Sequence, residues 1–185
     1  GYSVAILDVG VDKLHPFLSG RVVVEACFST SYNGSYTTTT LCPNGQGEQH
    51  GTDSARPCSV NNLDPLNACD HGTHVAGIAA GHQYATMVSA GNASALYNGV
   101  APDANIVAVQ VFSRMDTASQ CGGAAYTPCY LTFPSDQLKA LNWLSTVAST
   151  YNLAAINMSL GGTIKYTSNC DADTRKVGID NLRAA

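Results

Sequence analysis

Short apolar runs at wide intervals are the feature that most limits the folds open to this chain. Four such runs stand out, at Ser3–Leu7, Arg21–Ala26, Ala104–Phe112 and Leu153–Leu160. Their length and their aliphatic content are typical of buried strands. Segments with helical periodicity lie among them, and strands that alternate with helices predict an α/β fold. The predicted architecture is therefore a parallel sheet with helices on both faces.

Three segments are predicted to be helical. The first begins near His71, with Asp70 or a neighbouring residue expected as its cap. The second, Ser135–Tyr151, places leucines along one face, with Ser135 expected as its cap. The third starts at Asp171 and runs to the last residue. Ligand sites in parallel sheets lie beyond the carboxyl ends of the strands. The residues at such ends are Asp8, Val111–Ser113 and Ser159–Gly162.

Stretches without a hydrophobic period are predicted to be loops. The longest runs from Phe28 to Asn67 and is rich in Ser, Thr, Gly and Pro. A loop insertion pinned by disulfides, with or without a hairpin, is expected there. The Thr37–Thr40 run and the segment Tyr126–Tyr130 are predicted to be exposed loop, not a recognition surface.

Cysteine content indicates the compartment. The chain has seven cysteines and no Cys-x-x-Cys pair. Their scatter through loop-like sequence predicts disulfides in an exported protein, either secreted to the extracellular space or periplasmic. The alternative is several buried, unpaired thiols. Because seven is odd, one cysteine is either free or paired outside this chain. No signal-peptide pattern is present at the start, so any targeting segment is expected to have been removed.

Charge and hydropathy argue against two classes of partner. The formal net charge is −4, with no basic stripe to neutralise phosphates, so nucleic acid is not expected as a partner. No apolar run approaches the roughly 20 residues that a membrane-spanning helix needs. A membrane is therefore not an expected partner either.

The stretch Cys69–Gly81 reads "CDHGTHVAGIAAG" and carries two histidines three positions apart. His71 and His74 could share a helix face and bind zinc, but a zinc site usually needs a third protein ligand. The small residues that follow indicate a helix packed closely against other backbone, which is a packing feature. No metal site is therefore predicted, and a zinc-dependent hydrolase using these two histidines is kept as an alternative.

Four motifs occur in a set order along the chain. They are "VAILDVGVDKLHP" (Val4–Pro16), "DHGTHVAGIAAG" (Asp70–Gly81), "NGVAPDANIVAVQVF" (Asn98–Phe112) and "INMSLGG" (Ile156–Gly162). Together they resemble the subtilisin-like serine proteases (subtilases). The resemblance implies that residues 1–185 are the N-terminal portion of a peptidase domain with the subtilisin-like three-layer fold, incomplete in this chain. Cys27–Asn67, His82–Tyr97 and Thr117–Phe133 are then expected to be loop insertions.

The resemblance also implies roles for single residues. Asp8 corresponds to the triad carboxylate and His71 to the general base, while His74 is a structural neighbour. The backbone of Ser159, Leu160 and Gly161 is expected to bind the substrate as an added strand. These roles suit the residue types, because a serine needs a base to remove its proton and imidazole has a pKa near working pH. A carboxylate is needed to orient that imidazole and to stabilise its cation.

The sequence departs from the family pattern at several points. Val9 follows the aspartate where the family usually has Ser or Thr, and Asp70 precedes the histidine where Gly or Ser is common. The family's nucleophile lies in a Gly-Thr-Ser-Met-Ala motif, and no such motif occurs here. Ser159 belongs to the substrate strand and is not the nucleophile. The chain alone is therefore expected to be inactive, and a C-terminal remainder of the domain is expected to supply the serine.

The function predicted from these features is a serine endopeptidase with polypeptide substrates and no required cofactor. A structural calcium ion is an open alternative, with the loop Gly91–Gly99 as its candidate site, although that loop has no carboxylate. Asp12, Asp53, Asp64 and Asp103 are expected to be solvated loop residues or caps. The alternative from another class is a peptide-binding module that kept the fold and lost the nucleophile.

Overall fold

The computed structural model describes residues 1–59, 64–82, 84–85, 96–162 and 166–184. Its helices are α1 (His71–Ala80), α2 (Pro134–Val147) and α3 (Arg175–Ala184). Its strands are β1 (Ser3–Asp8), β2 (Val22–Phe28), β3 (Tyr32–Asn33), β4 (Thr37–Thr40), β5 (Glu48–His50), β6 (Tyr84–Ala85), β7 (Leu96–Tyr97), β8 (Asn105–Gln110), β9 (Phe112–Met115), β10 (Cys129–Thr132) and β11 (Leu153–Asn157).

The main sheet has the strand order β11-β1-β8-β2-β5. All its pairings are parallel except that of β2 with β5. The four apolar runs of the sequence supply its four parallel strands. Successive side chains of β1 point to opposite faces, so Leu7 packs with Leu141 and Leu144 of α2, whereas Ile6 packs with Ala76 and Ala80 of α1. The predicted α/β fold with helices on both faces is confirmed.

Neither α1 nor α2 has the side-chain cap predicted for it. α1 does begin at His71 with Asp70 at the cap position, but the Asp70 side chain makes no capping hydrogen bond. α2 begins at Pro134, so Ser135 lies inside its first turn. Proline has no N–H that would need a cap, and its fixed φ suits the first helical position. Within the segment predicted to be the last helix, the structure forms α3 at Arg175–Ala184.

Two stretches predicted to be exposed loop form a second, antiparallel sheet. Its order is β10-β9-β4-β3. The Thr37–Thr40 run is β4, in which Thr38 is buried, and the end of the segment Tyr126–Tyr130 enters β10, in which Tyr130 is buried. The loop prediction is wrong for these residues because both strands form by pairing with β9: β10 follows β9 after a connection of 13 residues, whereas β4 lies more than 70 residues away from it. Pairing over such a distance leaves no local hydrophobic period.

Six cysteines form disulfides, as predicted. The bonds join Cys27 to Cys42, Cys58 to Cys69 and Cys121 to Cys129, and Cys170 is free and exposed. Each bond closes a short ring within or beside a segment predicted to be a loop. Among the described residues, every helix is too short or too polar to span a bilayer.

Candidate active site

Asp8 and His71 meet at the carboxyl edge of the main sheet. Asp8 is the last residue of β1, and His71 is the first residue of α1. His71 Nδ1 lies 2.9 Å from Asp8 Oδ1 and 2.9 Å from Asp8 Oδ2. The Asp8 side chain is fully buried, whereas 47% of the His71 side chain is exposed. The carboxylate is thus fixed inside the protein and holds one ring nitrogen of an imidazole that reaches solvent.

Backbone groups and two glycines bring this pair together. Val9 N–H donates to Asp8 Oδ1 over 2.8 Å, which orients the carboxylate. Gly72 lets the start of α1 approach β1, because a Cβ at Gly72 would lie only 2.1 Å from the carbonyl oxygen of Gly10 and 3.0 Å from Asp8 Cβ. Gly10 itself has a φ of 98°, and a Cβ there would lie 2.0 Å from the carbonyl oxygen of Arg56. The small residues of the sequence motif therefore set the distance between the carboxylate and the imidazole.

Burial dominates the electrostatics of Asp8. Desolvation raises the pKa of the Asp8 carboxyl above its usual value of 3.8, and the hydrogen bonds from His71 and from Val9 N–H offset only part of the rise. An ionised carboxylate in this environment interacts strongly with a neighbouring cation, because little water screens it. The arrangement suits a carboxylate that stabilises an imidazolium.

The raised pKa predicts a cost in stability. A carboxyl whose pKa is higher in the folded state binds protons more tightly when folded, so stability falls as pH rises from 3.8 through the folded pKa. The penalty is about 1.4 kcal/mol for each unit of the rise and is complete above that window. Asp8→Asn removes the charge, so the variant is expected to be more stable than the parent at neutral pH.

The measurement is denaturant unfolding of parent and Asp8→Asn variant in the complete gene product, at a series of pH values. The advantage of the variant should shrink as pH is lowered through the window and vanish once Asp8 is protonated in both states. A variant that is less stable at neutral pH, and catches up only in acid, would contradict this account of the carboxylate.

The second histidine of the motif does not face Asp8. His74 is exposed and lines a cavity of about 900 Å³ together with Asp12, His15 and Asp70. His71 is not part of that lining. In the part of the chain that the structure describes, no group of three or more His, Cys, Asp or Glu side chains could hold a metal ion. The two histidines therefore have different surroundings, and His71 is the one that pairs with a carboxylate.

The four aspartates predicted to be loop residues or caps have hydrogen-bond or ion-pair partners. Asp12 and Asp64 accept backbone N–H groups, Asp53 pairs with Lys13 and Arg56, and exposed Asp103 lies 3.9 Å from Arg21. These contacts agree with their predicted roles as caps and loop residues. Most of the candidate calcium loop Gly91–Gly99, and of the predicted insertion His82–Tyr97, lies outside the described residues.

The predicted substrate segment leaves the same sheet edge as Asp8. β11 pairs with β1 in parallel, with Ile6 opposite Asn157, so continuing the register brings Ser159 level with Asp8. Ser159 and Gly161 are exposed, and Leu160 is partly buried against the core. Ser159 Oγ hydrogen-bonds with the side chain of Asn157. The segment is thus an accessible continuation of the chain beyond β11, which is the strand next to β1.

Sequence reasoning missed two side chains that support the pair. Gln110 is fully buried at the end of β8, and its Nε2 donates to the Val9 carbonyl over 2.6 Å. Asp64 accepts N–H groups from Ala68 and Cys69, just before His71. A polar residue at the end of an apolar run was the available signal for Gln110. Asp64 was predicted to be a loop residue or cap, but the sequence did not indicate that it would bind the N–H groups just before His71.

Comparison with known proteins identifies the same family that the sequence motifs around Asp8 and His71 indicate. The sequence profile of the subtilase family matches residues 1–182. A protein named Subtilisin-like protease 3 from Trichophyton verrucosum is 31% identical over 178 residues, which make up 95% of this chain and 30% of that protein. The Thermophilic serine proteinase of Bacillus sp. (strain AK1) is 31% identical over 114 residues, covering 62% of this chain and 19% of that protein.

Solved structures show the same fold. The chain superposes over its whole length on Sphericase with a TM-score of 0.56 at 22% identity, covering 43% of that chain. For a protein titled S41 Psychrophilic Protease the TM-score is 0.55, also at 22% identity, with 42% covered. The chain spans about 30% of the length of Subtilisin-like protease 3. The resemblance inferred from four motifs is confirmed, and the chain belongs to the subtilase family.

Proposed function

We propose that this chain supplies the aspartate and the histidine of the Asp-His-Ser triad of a secreted serine endopeptidase. The observation that carries the proposal is the contact of His71 Nδ1 with both oxygens of the buried Asp8 carboxylate, at 2.9 Å. Membership of the subtilase family supports serine peptidase chemistry in general. The three disulfides support an extracellular location.

In the proposed mechanism, His71 acts as general base. Asp8 engages Nδ1, which leaves Nε2 to take the proton of a serine hydroxyl as that oxygen attacks the peptide carbonyl. The imidazolium that forms is stabilised by Asp8 and then protonates the departing amine. The serine comes from a C-terminal remainder of the domain, since the family's nucleophile motif is absent from the 185 residues.

The proposed substrate is an extended polypeptide that pairs with the backbone of Ser159, Leu160 and Gly161. The exposure of Ser159 and Gly161 and the register of β11 with β1 support this role. A peptide added as a strand gains main-chain hydrogen bonds whatever its sequence, as a protease requires. The reaction as proposed needs no cofactor, and neither a nucleic acid nor a membrane takes part.

Labelling with a serine-directed fluorophosphonate tests the proposal. The complete gene product should be labelled at one serine outside residues 1–185, and His71→Ala should abolish that labelling because the serine loses its base. Labelling that is unaffected by His71→Ala would contradict the triad. Peptide binding without labelling or cleavage would favour the peptide-binding module, and activity lost to a chelator and restored by zinc would favour the metal alternative.

A further inference from the structure

We propose that the Cys58–Cys69 disulfide, packed against Val9, is a positioning element for the Asp8–His71 pair. The proposal rests on the proposed function, because it concerns how that pair is held for catalysis. It gives the disulfide a role in the rate of the reaction in addition to its role in stability.

The disulfide links the exit of β1 to the entry of α1. Cys69 lies two residues before His71, and Val9 directly follows Asp8. Cys58 N–H donates to the Val9 carbonyl over 3.0 Å, so the other half of the disulfide is bonded to the residue next to the carboxylate. The covalent bond therefore connects the backbone beside Asp8 with the backbone beside His71 by a very short route.

Packing makes this connection stiff. Val9, Cys58, Cys69 and Tyr130 form one buried cluster, and none of them is more than 7% exposed. Burial, together with the nearby negative charge of Asp64, raises the pKa of the Tyr130 phenol to about 12. The cluster thus packs both halves of the disulfide against the residue that follows Asp8.

Polar contacts hold both sides of the connection. Asp64, inside the ring that the disulfide closes, accepts Ala68 N–H at 2.9 Å and Cys69 N–H at 2.8 Å. On the β1 side, Gln110 Nε2 donates to the same Val9 carbonyl that accepts Cys58 N–H. The Asp64 bonds lie within the loop that ends at Cys69, so breaking the disulfide removes the covalent tie between that loop and the backbone beside Asp8, while β1 stays in the sheet.

Displacing a catalytic group by about 1 Å costs on the order of 100-fold in rate. The variant Cys58→Ser/Cys69→Ser is therefore expected to slow serine labelling by about 10- to 100-fold. The measurement uses the complete gene product and a fluorophosphonate, and it records two quantities. The amplitude counts competent active sites, and the saturating rate constant reports how well His71 activates the serine.

The two quantities separate positioning from stability. A disulfide that only stabilises the fold would lower the amplitude and leave the rate constant of the remaining sites unchanged. Cys27→Ser/Cys42→Ser is the matched control, because that disulfide is as deeply buried and joins cysteines 15 positions apart, against 11 for Cys58 and Cys69. It joins β2 to the segment after β4, so its removal should lower stability and keep the rate constant within about 2-fold.

A second variant keeps the test decisive if the disulfide variant does not fold. Val9→Ala leaves the bond intact but removes the side chain between it and β1, and it should slow labelling about 5- to 10-fold. An unchanged rate constant in Val9→Ala, or in a folded Cys58→Ser/Cys69→Ser, overturns the positioning role while the proposed function stands. A parent protein with no labelled serine overturns both.

Discussion

Replacing His71 by alanine is expected to lower kcat of the complete gene product by about 10⁶-fold. This is the order of loss known for the base of subtilisin, a member of the same family. The physical reason is that the serine keeps its proton and the leaving amine receives none. The measurement is steady-state hydrolysis of a fluorescent casein, with each enzyme shown to be folded by its circular dichroism spectrum.

His74→Ala is the matched control for this prediction. The residue type, the helix and the exposure are the same, but His74 lines a cavity that His71 does not. The control is expected to keep kcat within a few-fold of the parent. Comparable losses in both variants would contradict the assignment of His71 alone as base, and would revive the hypothesis of a metal site that uses both imidazoles.

Gly72→Ala is expected to lower the free energy of unfolding by roughly 3 kcal/mol, at the upper end of the usual cost of overpacking, and to impair catalysis as well. The new Cβ would lie 2.1 Å from the carbonyl oxygen of Gly10, which is backbone and cannot rotate away. It would also lie 3.1 Å from Asp8 Oδ1, so α1 must move away from the carboxylate. Chemical denaturation measures the first effect, and the fluorophosphonate labelling rate measures the second.

Gly77→Ala in the same helix is the control for Gly72→Ala. Its Cβ would meet the Phe17 ring at 3.2 Å, and a side chain that is only partly buried can shift by the few tenths of an ångström required. The gain in helix propensity, about 1 kcal/mol, offsets this strain, so the net change should stay within about 1 kcal/mol. Equal destabilisation by the two substitutions would mean that helix α1 as a whole is intolerant, with no special role for its contact with Gly10.

The parallel sheet could be predicted because its signal is local. Each of its four strands is a continuous apolar run, and strands covered on both faces need such composition wherever they occur. The second sheet could not be predicted in the same way. β4 consists of four threonines whose partner strand, β9, lies more than 70 residues further along the chain. Nothing in the local sequence separates such a strand from a polar loop.

The helix starts likewise include one feature that the local sequence predicts and one that it does not. The start of α1 at His71 was predictable, because a run of small and apolar residues begins there. Its cap was not predictable, because the Asp70 side chain makes no capping hydrogen bond. The N–H groups of His71 and His74 instead donate to the backbone carbonyls of Ala68 and Asp70. In α2 a proline at the first position takes the place of the predicted serine cap. Side-chain caps are worth only about 1 kcal/mol, so packing readily overrides them.

By itself, the sequence determined the residue types of the site and their order along the chain. Four motifs in a set order, among them an aspartate that ends a strand and a histidine that begins a glycine-rich helix, were enough to identify the family, because each motif carries its own local signal. Only the tertiary structure decided which groups surround the pair. The contact of Cys58 with Val9 and the approach of Gly72 to Gly10 arise where segments distant in sequence pack together. Such contacts depend on the closing of long loops, and no local pattern of residues records them.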